Sequence, residues 1–225
     1  MPIADFIHLR VASSYSLAEG AIKITEDKPK DGAVAARNDL IALAKAQDMP
    51  AVAVTDHGNL FGALEFALAA TECGIQPIIG CTIALQRSNG AQKSGHPLTD
   101  NMVLLAMNPE GYGNLVKLVS AGFLAPDRLE PSVTWAELQL YAPGLIALTG
   151  GVDGPLGSLL AGGQQEAAQA CLLQLKELFP NRLYLELQRH EDGAIGTLER
   201  RIEPALLAFA DAHNLPLVAT NDVYF

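Results

Sequence analysis

Seven short apolar runs with strand character punctuate the chain: Ile7–Val11, Ala51–Thr55, Pro77–Gly80, Met102–Ala106, Leu145–Thr149, Leu183–Leu187 and Leu217–Thr220. Segments with helical spacing of apolar residues lie between them, most clearly Ala33–Gln47, Leu60–Cys73, Gly111–Ser120, Gln164–Leu178 and Leu198–His213. Several of these end at helix stops: Pro50 follows Gln47, Gly74 follows Cys73, and Pro180 follows Phe179. Strand and helix alternate without a long strand-only block, which predicts βα units and a mainly parallel sheet, open or closed into a barrel. Two polar stretches, Lys23–Gly32 and Gln86–Asn101, read as loops. No linker splits the chain, so a single domain over residues 1–225 is expected. The last strand runs to Phe225 with no helix after it, and the expectation is an N-terminal fragment of something longer.

Polar groups collect where the runs end, the edge at which α/β folds place their chemistry. The most informative stretch is AVAVTDHGNLFG, in which a buried strand emerges at Asp56-His57-Gly58. LPLVATNDVYF repeats the design with Asn221-Asp222. The other ends offer His8, Arg10, Ala12 and Glu19; Cys81 and Thr82; Asn101; Thr149-Gly150-Gly151; and Gln188-Arg189-His190. Each has a structural reading too. A histidine at a strand end is commonly just hydrogen-bonded, Asp56 suits the N-cap of a helix starting near Asn59, and Asp222 suits a turn. TGGVDGPLG lacks both G-x-G-x-x-G and a GK[ST] ending, so it reads as a tight strand-to-helix turn rather than a phosphate loop. There is no G-x-S-x-G elbow.

Composition narrows the functional classes. A formal charge of −10 argues against gripping a nucleic-acid backbone through this segment, and its basic residues are not interleaved with aromatics. Three cysteines far apart, with no CxxC, read as reduced thiols in a cytoplasmic protein. No signal peptide and no apolar run long enough to span a membrane is present.

The ordered set FIHLRVASSYSLAEGA, VTDHGNLFGALEF, GIQPIIGCTIAL, NMVLLAMNPEGYGNLVKLVS, GLIALTGG, YLELQRH and LPLVATNDVYF resembles the N-terminal PHP (polymerase and histidinol phosphatase) domain of bacterial DNA polymerase III alpha subunits, over about Asp5 to Phe225. The resemblance implies a distorted seven-stranded (βα)7 barrel. Metal-binding members of the family hold a trinuclear site through nine ligands. Carried onto this chain, three positions keep ligand chemistry: Glu19, His57 and Asp222. Six do not: Arg10, Ala12, Thr82, Asn101, Gly151 and Tyr224. His8, Asp56 and His190 are nearby polar groups outside the nine. A guanidinium stays charged in proteins and sets a positive charge where a cation belongs. Arg10 is therefore expected to pair with Glu19, Asp222 or both.

The resemblance thus implies a non-catalytic structural scaffold with no cofactor of its own, attached to the remaining polymerase domains and docking the proofreading exonuclease subunit. DNA would be reached only through the full-length polymerase, a DNA-directed nucleotidyltransferase whose Mg²⁺ site lies outside this segment. The alternative is an active metal-dependent phosphoesterase or 3'-5' exonuclease using zinc or manganese. A free-standing regulatory relative is a third reading.

Overall fold

The computed structural model describes residues 6–25, 39–87, 92–93, 96–126, 130–191 and 193–221. These fall into two compact units, one reaching to Cys81 and the other Thr82–Asn221. The strand Gln76–Gln86 begins in the first unit and ends in the second.

In the first unit, α1 (Leu40–Ala46) is capped by Asp39, whose carboxylate accepts from the Ala42 N–H at 2.8 Å. The strand β1 (Ala51–Val54) pairs in parallel with the start of β2 (Gln76–Gln86), Ala51 opposite Gln76 and Val54 opposite Ile79. Between them lies α2 (Ala63–Glu72). Ile22, Ile24, Leu40, Ile41, Val52, Val54 and Phe66 form the core of this unit.

The first apolar run, Ile7–Val11, is not a strand, which corrects that expectation. It lies beside β1: the Ala53 N–H donates to the His8 carbonyl at 2.9 Å, and the Thr55 N–H to the Val11 carbonyl at 2.9 Å. Three residues on one side thus span two on the other. The extra residue breaks the ladder as a bulge does.

The second unit contains the rest of β2, then a short antiparallel hairpin of β3 (Gln92–Lys93) and β4 (His96–Pro97), and β5 (Thr99–Ala106). The hairpin and the start of β5 occupy the stretch expected to be a loop. After β5 come α3 (Pro109–Leu124), α4 (Trp135–Tyr141), β6 (Leu145–Leu148), a 3₁₀ turn (Gly151–Asp153) and α5 (Pro155–Ala161). The chain continues through α6 (Gln165–Leu178), β7 (Leu183–Leu187), α7 (Gly193–His213) and β8 (Leu217–Ala219). Asn108 caps α3 through the Gly111 N–H at 2.9 Å, with Pro109 in the first turn. Thr134 and Glu137 form a capping box on α4. Leu104, Leu115, Leu118, Leu145, Leu156, Leu172 and Leu185 are completely buried here.

β6, β7 and β8 run parallel, as the alternation requires, but β5 and β6 are antiparallel with Val103 opposite Leu148. That reversal sets the N-terminal end of β5, and with it Asn101, beside the C-terminal end of β6.

Candidate functional site

In the first unit, Asp56 follows β1 with only 1% of its surface exposed. Its Oδ1 accepts from the Ser13 N–H at 2.7 Å and the Ser16 hydroxyl at 2.7 Å, and its Oδ2 from the Ser13 hydroxyl at 2.9 Å. Both hydroxyls also accept, Ser13 Oγ from the Tyr15 N–H at 3.2 Å and Ser16 Oγ from the His57 N–H at 3.1 Å. The carboxylate therefore fixes the 13–16 loop, and the serines relay that hold to two further backbone groups. Asp56 is not the helix N-cap that its position suggests. The helix begins at Ala63 with Gly62 before it, because the carboxylate is turned toward donors some forty residues away in sequence. Cys81 is wholly buried and its thiol donates to the Asp56 carbonyl at 3.2 Å. Burial, with the Asp56 charge second, pushes that thiol up to about 12.

Of the positions carried over from the family, Glu19 and His57 are brought together. The Glu19 Oε2 lies in close contact with His57 Nδ1, with the imidazole mostly covered and the carboxylate half exposed. Arg10 and Ala12 are buried, at 3% and 4% exposure. His8 stands edge-on to Phe6 with ring centroids 5.0 Å apart, and burial lowers its pKa from the ordinary imidazole value. Asp222 and Tyr224, and with them half of the pairing expected of Arg10, lie outside the described residues.

The second unit is organised around another buried acid. Glu186, in β7, is 0% exposed. Its carboxylate accepts from the Gly150 N–H at 2.7 Å, from Gln188 Nε2 at 3.3 Å and, in a close contact, from the Thr220 hydroxyl. Its own N–H donates to the Thr149 hydroxyl at 2.9 Å. Gly150 has φ of +81°, and a Cβ there would lie 1.9 Å from the Asn101 carbonyl oxygen, so only glycine fits. Gly151 faces Gln188: a Cβ at that position would meet Gln188 Oε1 at 2.4 Å. TGGVDGPLG is thus the strand-to-helix turn expected of it. Thr82 is buried and Asn101 partly so.

His190 is held from behind. Its N–H donates to Glu199 Oε2 at 2.7 Å, and its Nδ1 lies 2.6 Å from Glu199 Oε1 on α7. Among the described residues, no group of three or more His, Cys, Asp or Glu side chains is arranged to hold a metal ion. Sequence reasoning passed over Glu186 and Glu199. The available signal for Glu186 was an acid inside the run LYLEL, on the same strand face as Gln188 by the two-residue alternation. Glu199 had none beyond its place on a helix.

An amidohydrolase from Chromobacterium violaceum, solved with bound sulfate and no metal, matches with a TM-score of 0.57 at 15% identity, covering 97% of this chain and 87% of that one. Residues 8–190 match the PHP domain family, and the chain belongs to it. It is 42% identical over 223 residues to the DNA polymerase III subunit alpha of Caulobacter vibrioides and 35% identical over 225 residues to that of Borreliella burgdorferi. It is also 36% identical over 236 residues to an error-prone DNA polymerase of Symbiobacterium thermophilum. Each alignment takes in 98% of this chain but only 18–19% of the relative. The chain therefore spans about a fifth of the length of these relatives.

Proposed function

We propose that this chain is a single PHP domain of a replicative polymerase III alpha subunit, with a degenerate metal site that performs no catalysis. The similarity to polymerase subunits over 98% of the chain supports the first part. For the second, one observation carries the reading: Arg10 is buried at a ligand position, a fixed positive charge where the family places a cation. Ala12, also buried, has no lone pair to offer, and neither does Gly151. Glu19 and His57 are engaged with each other. These residues do not fit a multinuclear cluster of the kind that activates water.

In this reading the domain is a cytoplasmic scaffold. It contacts the remaining polymerase domains and docks the proofreading exonuclease, and DNA binding and the Mg²⁺-dependent polymerase site belong to those other domains. The competing phosphoesterase or exonuclease reading has the retained Glu19 and His57 in its favour. Metal analysis after purification with Zn²⁺ and Mn²⁺ separates the two. We expect well under one equivalent of metal and no phosphodiester hydrolysis. Stoichiometric metal together with hydrolysis that a chelator abolishes would overturn the scaffold reading. For the partner, the full-length protein should co-elute with the exonuclease and lose it when residues 1–225 are deleted.

A further inference from the structure

Asp100 and Asn101 are neighbours in β5, and neighbours in a strand point to opposite faces. Asn101 is among the positions carried over from the family, whereas Asp100 lies on the other face, under the helices. There it lines a hollow of about 230 Å³ within the second unit, walled by residues of α4, α5 and α6. Asp100 is 5% exposed, and Arg87 clamps it, donating from Nη2 to Oδ1 at 2.8 Å and from Nε to the two oxygens at 3.0 and 3.2 Å. Burial raises the pKa of this carboxyl above its ordinary value, although Ser158 and Arg87 work against it. Cys171, in the same wall, stays a neutral thiol, pushed up to about 12 by burial and then by the Asp100 charge. Trp135, Leu159 and Ala170 make the wall largely apolar. At the rim, the side-chain amides of Gln164 and Gln174 make no hydrogen bond among the described residues. A second hollow of about 400 Å³ adjoins the first along Trp135 and Gln174, which line both.

An apolar hollow with a few convergent polar groups is the usual form of a small-molecule site. The charges select the ligand. Arg87 and Asp100 cancel each other, no other charged side chain lines the first hollow, and Glu177 adds a negative charge to the second. The lining thus favours an uncharged ligand and opposes a phosphate. The shape and the polar groups narrow it further. Trp135 offers an aromatic face for stacking. A glutamine amide presents a donor and an acceptor side by side, the pattern that pairs with the edge of adenine. We propose that this hollow binds an uncharged planar heterocycle, a nucleobase carried as its free nucleoside, stacked on Trp135 and held at its edge by Gln164 and Gln174. The formal charge of −10 opposes a nucleic-acid strand as the carrier. The site lies on the opposite face of β5 from Asn101 and does not depend on the scaffold reading.

Trp135 is the single tryptophan of the 225-residue chain, so its fluorescence reports on the hollow directly. Adenosine titrated into this chain should quench it saturably, with half-saturation at or below about 1 mM, free tryptophan amide correcting for absorption by the nucleoside. Adenosine 5'-monophosphate should bind more weakly than adenosine. Ala170→Phe sets a ring into the hollow and should abolish the quenching. Gln174→Ala removes one amide and should weaken binding by about three- to tenfold. Both positions are exposed on α6, so the fold is retained, and circular dichroism checks that it is. Absence of saturable quenching by adenosine, guanosine, cytidine and thymidine alike overturns the proposal, and so does quenching that survives Ala170→Phe. Tighter binding of the monophosphate, or of an oligodeoxyadenylate, overturns the assignment of an uncharged free ligand.

Discussion

Replacing Asp56 tests how the first unit is held together. The carboxylate takes three donors, and Ser13 and Ser16, which supply them, are themselves buried. In Asp56→Ala the two hydroxyls can rotate toward other acceptors, but the Ser13 N–H is fixed and left without a partner. A buried orphan donor costs about 1–3 kcal/mol, and each lost hydroxyl bond to a charged group adds about 1 kcal/mol more. The expected loss is about 3–5 kcal/mol, a large share of a typical domain's stability. Asp56→Asn discriminates between charge and geometry. Two of the three bonds fall on Oδ1, so an amide carbonyl in that place keeps them and the loss is about 1–2 kcal/mol. Urea unfolding followed by far-ultraviolet circular dichroism measures both losses. Amide exchange localises them, with the Ser13, Tyr15 and His57 N–H groups losing protection first in the alanine variant. An alanine variant within about 1 kcal/mol of the parent, or equal to the asparagine variant, would refute the account of Asp56 as the anchor of this loop.

The same reasoning extends to the other unit. Glu186→Ala should cost about 3–5 kcal/mol because it strands the Gly150 N–H and the Thr220 hydroxyl, with Glu186→Gln nearer 1–2 kcal/mol; urea unfolding checks both. Gly150→Ala combines a positive φ with a Cβ 1.9 Å from a carbonyl oxygen, and should lower stability by about 3 kcal/mol or more, measured as a fall in thermal midpoint. Burial depresses the His8 pKa below the ordinary 6.5, so its contribution to stability is present above that value and is lost as pH falls through the lower folded value. Unfolding free energies between pH 7.5 and about 4.5 should fall more steeply for the parent than for His8→Leu, and equal slopes would refute the assignment.

The sequence was most legible where local pattern and tertiary burial agree. The run Leu183–Leu187 is β7 to the residue, because Leu183 and Leu185 are buried and Pro180 punctuates the chain before them. The helices α4 and α5 escaped notice, since seven residues give too few turns for a periodic signal. The capping box at Thr134–Glu137 was nevertheless visible in SVTWAEL. The antiparallel turn of β5 against β6 has no local signature; both are continuous apolar runs, as buried strands are in either orientation. The broken pairing of Ile7–Val11 likewise depends on one surplus residue opposite β1, which composition cannot reveal. Among the site residues, Asp56 and His57 stood out as an acid and an imidazole at a strand end. What Asp56 does depends on serines forty or more positions away, a distance no motif spans. Arg10, Ala12 and Gly151 carry weight only in the proposed reading, because nothing local about an arginine, an alanine or a glycine at a strand end points to a metal site.

The two buried acids point to one design, reached separately in each unit. Asp56 and Glu186 each follow or lie within a parallel strand, each is at most 1% exposed, and each accepts a backbone N–H from a loop along with side-chain donors. A carboxylate removed from water needs such donors or a cation. Here internal donors supply those contacts at both acids. The contact of Glu19 with His57 would, in the proposed scaffold reading, be the same substitution of a donor for a cation. In the proposed scaffold reading, the strand ends that bind metals in other members of the family serve cohesion instead. Loops once held by ions would then be held by hydrogen bonds that persist at any metal concentration. A chelator should therefore leave the thermal midpoint of this chain unmoved, whereas a domain whose loops were tied by metal would lose several degrees with the ions.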